Sequence, residues 1–307
     1  MKKRNKQYFK LALLIIWPVM LFIIGLQFCS SPSGFSNAKI SSNFVFRDAL
    51  IQKPPTSAEF TKIEDVLHQK FYYFDSGTHC YIFISEDQKY VIKFFKMRRL
   101  TPKYWLNYLP LPWLEDLRFE KIQRRERLRQ ETFESFKSAY EDFKEETGLL
   151  FVHLNKTKYL NDKATFVDKV GKEHLVSLNK VPFVLQKKAQ MIVPYISDLI
   201  DQGQAPRALE ALSSVLRLIK DRCQKGYVDK DGGVINNYGF IDGNAVEVDI
   251  GRIIKDESIK DPINYLREVL RVSKKIEIWL QATYPELSSE FQEEVQRILS
   301  NEDVARL

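Results

Sequence analysis

Residues 225–253, KGYVDKDGGVINNYGFIDGNAVEVDIGRI, constrain the chain more tightly than any other stretch. Asp229, Asp231, Asp242 and Asp249 crowd together here, with Asn236 and Asn237 between them. DKDGG and IDGN are rich in residues that tolerate positive φ or bond their own backbone, so two turns are expected. FID-GN-AVEV reads as a tight hairpin with Asp242, Gly243 and Asn244 at the reversal. Turns alone do not call for Asp249 at the end of the returning strand, followed by Ile250 and Gly251.

The chain has 307 residues, 44% hydrophobic and 28% charged, enough for one large domain or two lobes sharing a cleft. Net charge is +7, with basic residues spread along the chain and in the N-terminal tail. No DNA- or RNA-binding signature accompanies it, so nucleic acid is not an expected partner. Cys29, Cys80 and Cys223 form no CxxC pair or disulfide framework. His68, His79, His153 and His174 are scattered, without zinc spacing. Nothing in the sequence sets an oligomeric state.

Residues 1–10 form a basic tail with Lys2, Lys3, Arg4, Lys6 and Lys10. Residues 11–29, LALLIIWPVMLFIIGLQFC, are uncharged and long enough to span a bilayer. An uncleaved anchor is expected; a cleaved signal is the alternative, because Ser30, Ser31, Ser36 and Ala38 follow. Between residues 30 and 46 the sole charge is Lys39, so the positive-inside rule puts the N-terminus in the cytoplasm and the rest across the membrane. The lipid bilayer is thus an expected partner. Residues 30–58, small and polar with prolines, read as a linker.

Residues 71–96 alternate aromatic and β-branched positions around SGT and SEDQ, predicting two or three antiparallel strands. Residues 97–118 form an aromatic insert that Pro102, Pro110 and Pro112 keep from being one helix. Its Tyr104, Trp105, Tyr108 and Trp113 suit either a membrane interface or packing onto the domain. A long helix is predicted over 119–147, with a stripe through Leu128, Phe136, Tyr140 and Phe143. LLFVHL and PFVLQKK read as strands, flanking a short hairpin around GKE. Helices follow in ISDLI and PRALEALSSVLRLIKDRCQKG, the second starting near Pro206 and stopping at Gly226. Two more close the chain.

This order resembles the protein-kinase-like superfamily. Lys93 in YVIK lies where that family's third strand carries its phosphate-pairing lysine. DKD, Asp229-Lys230-Asp231, stands in place of HRD, and DIG, Asp249-Ile250-Gly251, in place of DFG. The resemblance implies an α+β, bilobal protein-kinase-like fold behind the N-terminal apolar segment. A small antiparallel-sheet lobe with one long helix would cover residues 59–188, and a mostly helical lobe 189–307. It further implies ATP and Mg²⁺ as cofactors and a hydroxyl-bearing acceptor of unspecified class.

Phosphoryl transfer is mainly positioning and electrostatics, with magnesium held by carboxylates and phosphates. By resemblance, Lys93 would meet the phosphates, Asp231 and Asp229 would serve the acceptor side, and Asp249 would hold metal. An asparagine would assist: Asn236 at the family's spacing from Asp231, or Asn237 after a one-residue insertion. Glu134 would pair with Lys93 from the long helix, with Glu131 as the alternative. Adenine would rest on the backbone near Gln186–Gln190, and Gly77 would line the phosphate loop. The chain also departs from the pattern. DSGTHC keeps only Gly77 of three glycines, and residues 252–260 leave no room for an activation segment. Two readings follow: an ATP-dependent phosphotransferase, or a pseudokinase that binds nucleotide or serves as a scaffold.

Overall fold

The computed structural model describes residues 17–18, 34–41, 55–108, 113, 115–160, 163–231, 233 and 235–300. Three strands come from the aromatic-rich stretch: β1 (Phe71–Ser76), β2 (Cys80–Ser85) and β3 (Tyr90–Phe95). They join β4 (Leu149–His153), β5 (Lys163–Val167), β6 (Glu173–Ser177) and β7 (Phe183–Lys187) in a seven-stranded sheet, order β4-β7-β3-β2-β1-β5-β6. Every pairing in it is antiparallel except β1 with β5. Alternation places Phe83, Phe94 and Phe166 on one buried face, in edge-to-face contact at 4.8–6.0 Å. Each such ring removed from water is worth roughly 1.5–3 kcal/mol.

Helix α1 (Ser57–Leu67) opens on a capping box between Thr56 and Glu59 and buries Ile63, Val66 and Leu67 against this sheet. Helix α2 (Glu115–Asp142) begins four residues earlier than the sequence pattern suggested, with Glu115 and Asp116 complementing its N-terminal dipole. It breaks at Phe143, and a separate turn, Lys144–Thr147, ends on left-handed Gly148. The remaining part is mostly helical: α3 (Ile192–Asp201), α4 (Ala205–Gln224), α5 (Pro262–Thr283) and α6 (Ser288–Ser300). Their apolar stripes meet in one core around Leu212, Leu216, Val269, Ile276 and Phe291.

A short strand β8 (Gln190–Met191) leads from the sheet into this helical part. The acid-rich stretch supplies β9 (Tyr227–Asp229), β10 (Tyr238–Ile241), β11 (Asn244–Glu247) and β12 (Ile253–Lys255). The expected β10–β11 hairpin turns through Asp242 and Gly243, both at positive φ, the signature of a tight reversal. This mixed α+β arrangement, a sheet part and a helical part, fits a bilobal kinase-like fold.

The expected linker is partly built into the fold. Phe35 and Ile40 are fully buried against the sheet, and Tyr81 donates to the Gly34 carbonyl at 2.7 Å. Apart from Trp17 and Pro18, the expected span over 11–29 lies outside the described residues. Among those described, no helix is long and apolar enough to cross a membrane.

Candidate active site

Two ladders bring the acidic stretch together. β9 pairs with β12, so Asp229 faces Ile253, and the Lys230 N–H donates to the Arg252 carbonyl at 3.1 Å. β10 pairs with β11, and beyond its end the Val248 N–H donates to the Asn237 carbonyl at 2.7 Å. Lys230 and Asn237 are therefore both held against the 248–252 segment.

Asp229 is buried and binds the loop after it. It accepts the Asp231 N–H at 2.7 Å and the Asn237 side-chain amide at 3.4 Å. Burial raises its pKa, while the Asp231 N–H and the Arg222 guanidinium pull the other way. Asp231 is half-buried, and its carboxylate accepts the Gly233 N–H at 3.1 Å. Of the two asparagines, Asn237 is buried and bonded to Asp229, whereas Asn236 is exposed. A Cβ at Gly233 would lie 3.1 Å from Asn237 Oδ1 and 3.7 Å from Asp231 Oδ1. A side chain there would crowd the first of these oxygens and touch the second.

Lys93 comes from the centre of the sheet, paired with Ile82 and Val184 on its two sides. Its amine crosses to the other part and donates to the Val248 carbonyl at 2.5 Å, one residue before Asp249. Burial lowers its pKa, against the opposing pull of Asp249 and Cys80. The Cys80 thiol is itself pushed up to about 12 by burial. Asp249 is exposed, while Ile250 is fully buried and fixes the segment.

The expected pairing of Lys93 with Glu134 is not formed. α2 turns Phe133, Phe136 and Ser135 inward, with Phe95 packing on both rings at 5.0 and 5.1 Å. Glu131 and Glu134 therefore fall on the exposed side, where Glu134 accepts from Gln130 at 2.8 Å. Ser135 takes the inward place instead. Its hydroxyl donates to the Ile250 carbonyl and accepts the Ile253 N–H, tying α2 to the DIG segment.

Gly77 sits in the β1–β2 turn, and a Cβ there would meet nothing within 4 Å. The turn is held by Lys96, which donates to Ser76 Oγ at 2.7 Å and to the Gly77 carbonyl, and by Arg99, which donates to the Thr78 carbonyl at 3.0 Å. Gln186, at the expected adenine-side connection, is buried and donates to the Thr147 carbonyl at 2.5 Å. Gln190 follows in β8, paired with Phe240.

Among the described residues no cluster of three or more His, Cys, Asp or Glu side chains could hold a metal. Asn237 Oδ1 and the exposed Asp249 carboxylate, on segments joined by the Val248 N–H, are hard oxygen donors of the kind magnesium accepts when phosphates complete its shell. The donor chemistry fits the ion.

Beneath this loop lies a network the sequence did not reveal. Arg222 on α4 donates to both Glu247 oxygens at 2.5 and 2.7 Å, to Tyr238 at 3.1 Å and to Glu268 at 3.5 Å. Arg271 closes it with two bonds of 2.7 Å to Glu268. Arg222, Glu247 and Glu268 are all buried. Each reads in sequence as an ordinary helix or strand charge; only their convergence marks them.

Solved structures of one protein, WbdD, are similar to the chain at low identity. A crystal structure of WbdD matches it at 16% identity and a TM-score of 0.33, over 76% of this chain and 50% of that one. A structure described as the bifunctional kinase–methyltransferase WbdD matches at 16% identity and 0.32, over 74% and 47%. The chain thus spans about half the length of the structures it matches. No protein-family model and no curated protein matches it.

Proposed function

We propose that this is a kinase-like protein, anchored through residues 11–29, that binds Mg²⁺–ATP in the cleft and transfers the γ-phosphoryl group to a hydroxyl. One observation carries the reading: the Lys93 amine bonds the backbone one residue before Asp249, beside the loop holding Asp229, Asp231 and Asn237. Lys93 would meet the α- and β-phosphates, and Asp249 with Asn237 would hold Mg²⁺. Asp231 would orient the acceptor hydroxyl, with Asp229 supporting the loop through the Asp231 N–H. Magnesium would neutralise charge building on the phosphoryl group.

The pseudokinase alternative draws on a different observation. Lys93 has no acidic partner from α2, and the β1–β2 turn binds its own lysine, Lys96. A scaffold would tolerate both.

The test is a thermal shift of the full chain with Mg²⁺–ATP. At about 100 times its dissociation constant the ligand should add roughly 2.7 kcal/mol, seen as a raised melting temperature. Lys93→Ala and Asp249→Asn are expected to lose the shift. No shift with any nucleotide and divalent metal would leave the scaffold reading alone.

A further inference from the structure

The stretch after β3 carries features the cleft does not use. Tyr108 is 87% exposed, Trp113 75%, Phe119 63% and Leu117 52%, an unusual density of uncovered large apolar side chains. The turns leading to Tyr108 are braced on α2. The turn Met97–Leu100 and the helical turn Tyr104–Tyr108 both pack on α2, Tyr104 donates to Glu126, and Arg125 donates to the Arg98 and Thr101 carbonyls at 3.4 and 3.3 Å. The same segment holds much of the chain's charge excess. Residues 97–130 contain nine Lys or Arg against four Asp or Glu, in a chain whose net charge is +7. Lys121, Arg124 and Arg127 are exposed on the projecting start of α2.

A second observation converges on this place. The short helix Asn37–Ile40 packs against Met97–Leu100, at the root of the insert. Phe35 and Ile40 are locked into the sheet, so residues 34–41 are held on the fold, starting five residues past the apolar run that ends at Cys29. Five residues reach at most about 17 Å. If residues 11–29 lie in a bilayer, the base of the insert is held close to its surface.

We propose that Tyr108 and Trp113, with the side of α2 that carries Leu117, Lys121, Arg124 and Arg127, rest on an anionic lipid surface beside the N-terminal apolar segment. Aromatic side chains settle at the headgroup level, and basic side chains draw anionic lipid within a Debye length. The contact would fix which way the cleft faces relative to the bilayer. It is independent of phosphoryl transfer.

The experiment is hydrogen exchange on the full chain in lipid nanodiscs, either pure phosphatidylcholine or about one-third phosphatidylglycerol. Amides within 104–121 are expected to exchange about fivefold more slowly in the anionic discs, while β5 and β6 stay unchanged as an internal check of the fold. The combined Lys121→Glu, Arg124→Glu, Arg127→Glu chain should bring the two discs within about twofold of each other, as should raised salt. Trp113→Ser with Leu117→Ser should weaken protection in both discs. Equal protection in neutral and anionic discs, or undiminished protection of the charge-reversed chain, overturns the proposal. Protection in detergent that grows with protein concentration would assign the face to a second copy and overturn it too.

Discussion

At the scale of single residues the site depends on a missing atom. Gly233 does not sit at positive φ, so alanine is acceptable to its backbone, and only space decides the outcome. A methyl group there would press on Asn237 Oδ1 at 3.1 Å, tighter than ordinary van der Waals contact, and touch Asp231 Oδ1 at 3.7 Å. Asn237 is buried and bonded through its amide to Asp229, so it has little room to yield. Gly233→Ala is therefore expected to weaken Mg²⁺–ATP binding about tenfold, near 1.4 kcal/mol, by calorimetry. The unliganded chain should stay folded, its melting temperature lowered by no more than about a few degrees. Tenfold weakening without unfolding would place the metal-binding oxygens at this loop; unchanged affinity would remove Asn237 from that role.

At the scale of elements, one buried hydroxyl ties α2 to the segment that leads into β12. Ser135 bonds both the Ile250 carbonyl and the Ile253 N–H, and it is buried. Ser135→Ala would leave both backbone groups without that partner, at a cost of about 1–3 kcal/mol in urea unfolding. Because the same bonds seat the segment carrying Asp249, nucleotide affinity should fall as well. This link also shows where sequence reading stops. Strands, the hairpin and the long helix follow from local alternation, turn chemistry and periodicity, which is why β1 to β3, β10, β11 and most of α2 are legible. Which helix face meets the sheet is decided by Phe95 against Phe133 and Phe136, a contact between distant segments. Glu134 therefore looked suitable in sequence yet lies outside, and Ser135, unremarkable in sequence, lies inside. Phe35 and Ile40 were hidden for the same reason: a polar, proline-bearing stretch gives no local sign that two of its residues fill a sheet's core.

At the scale of the molecule, the sheet part and the helical part have separate cores, and a third joins them. Phe95, Phe133 and Phe136 meet Tyr227, Ile250 and Ile253 there, so residues of the sheet, α2 and the acidic loop share one apolar cluster. Loss of one part should therefore be felt in the other, and acid offers a way to test it. His153, on the edge strand β4, is buried with its ring nitrogens bonded to the Val181 carbonyl and Thr157 Oγ1, each at 2.9 Å. Burial lowers its pKa from 6.5 to about 4, with the Val181 bond opposing. Below pH 6.5 the unfolded chain takes up the proton first, so it binds more protons than the folded chain. The stabilisation from keeping His153 neutral is complete above 6.5 and is eroded as pH falls toward about 4, to a limit of about 3 kcal/mol. His153→Gln, which can bond both partners without titrating, should flatten the fall in stability between pH 6.5 and 4. With the joining core intact, near-ultraviolet and far-ultraviolet melting curves should stay coincident through that range, because His153 titrates in the sheet while most helix lies elsewhere. Divergent curves on acidification would mean that the third core is too weak to couple the two parts.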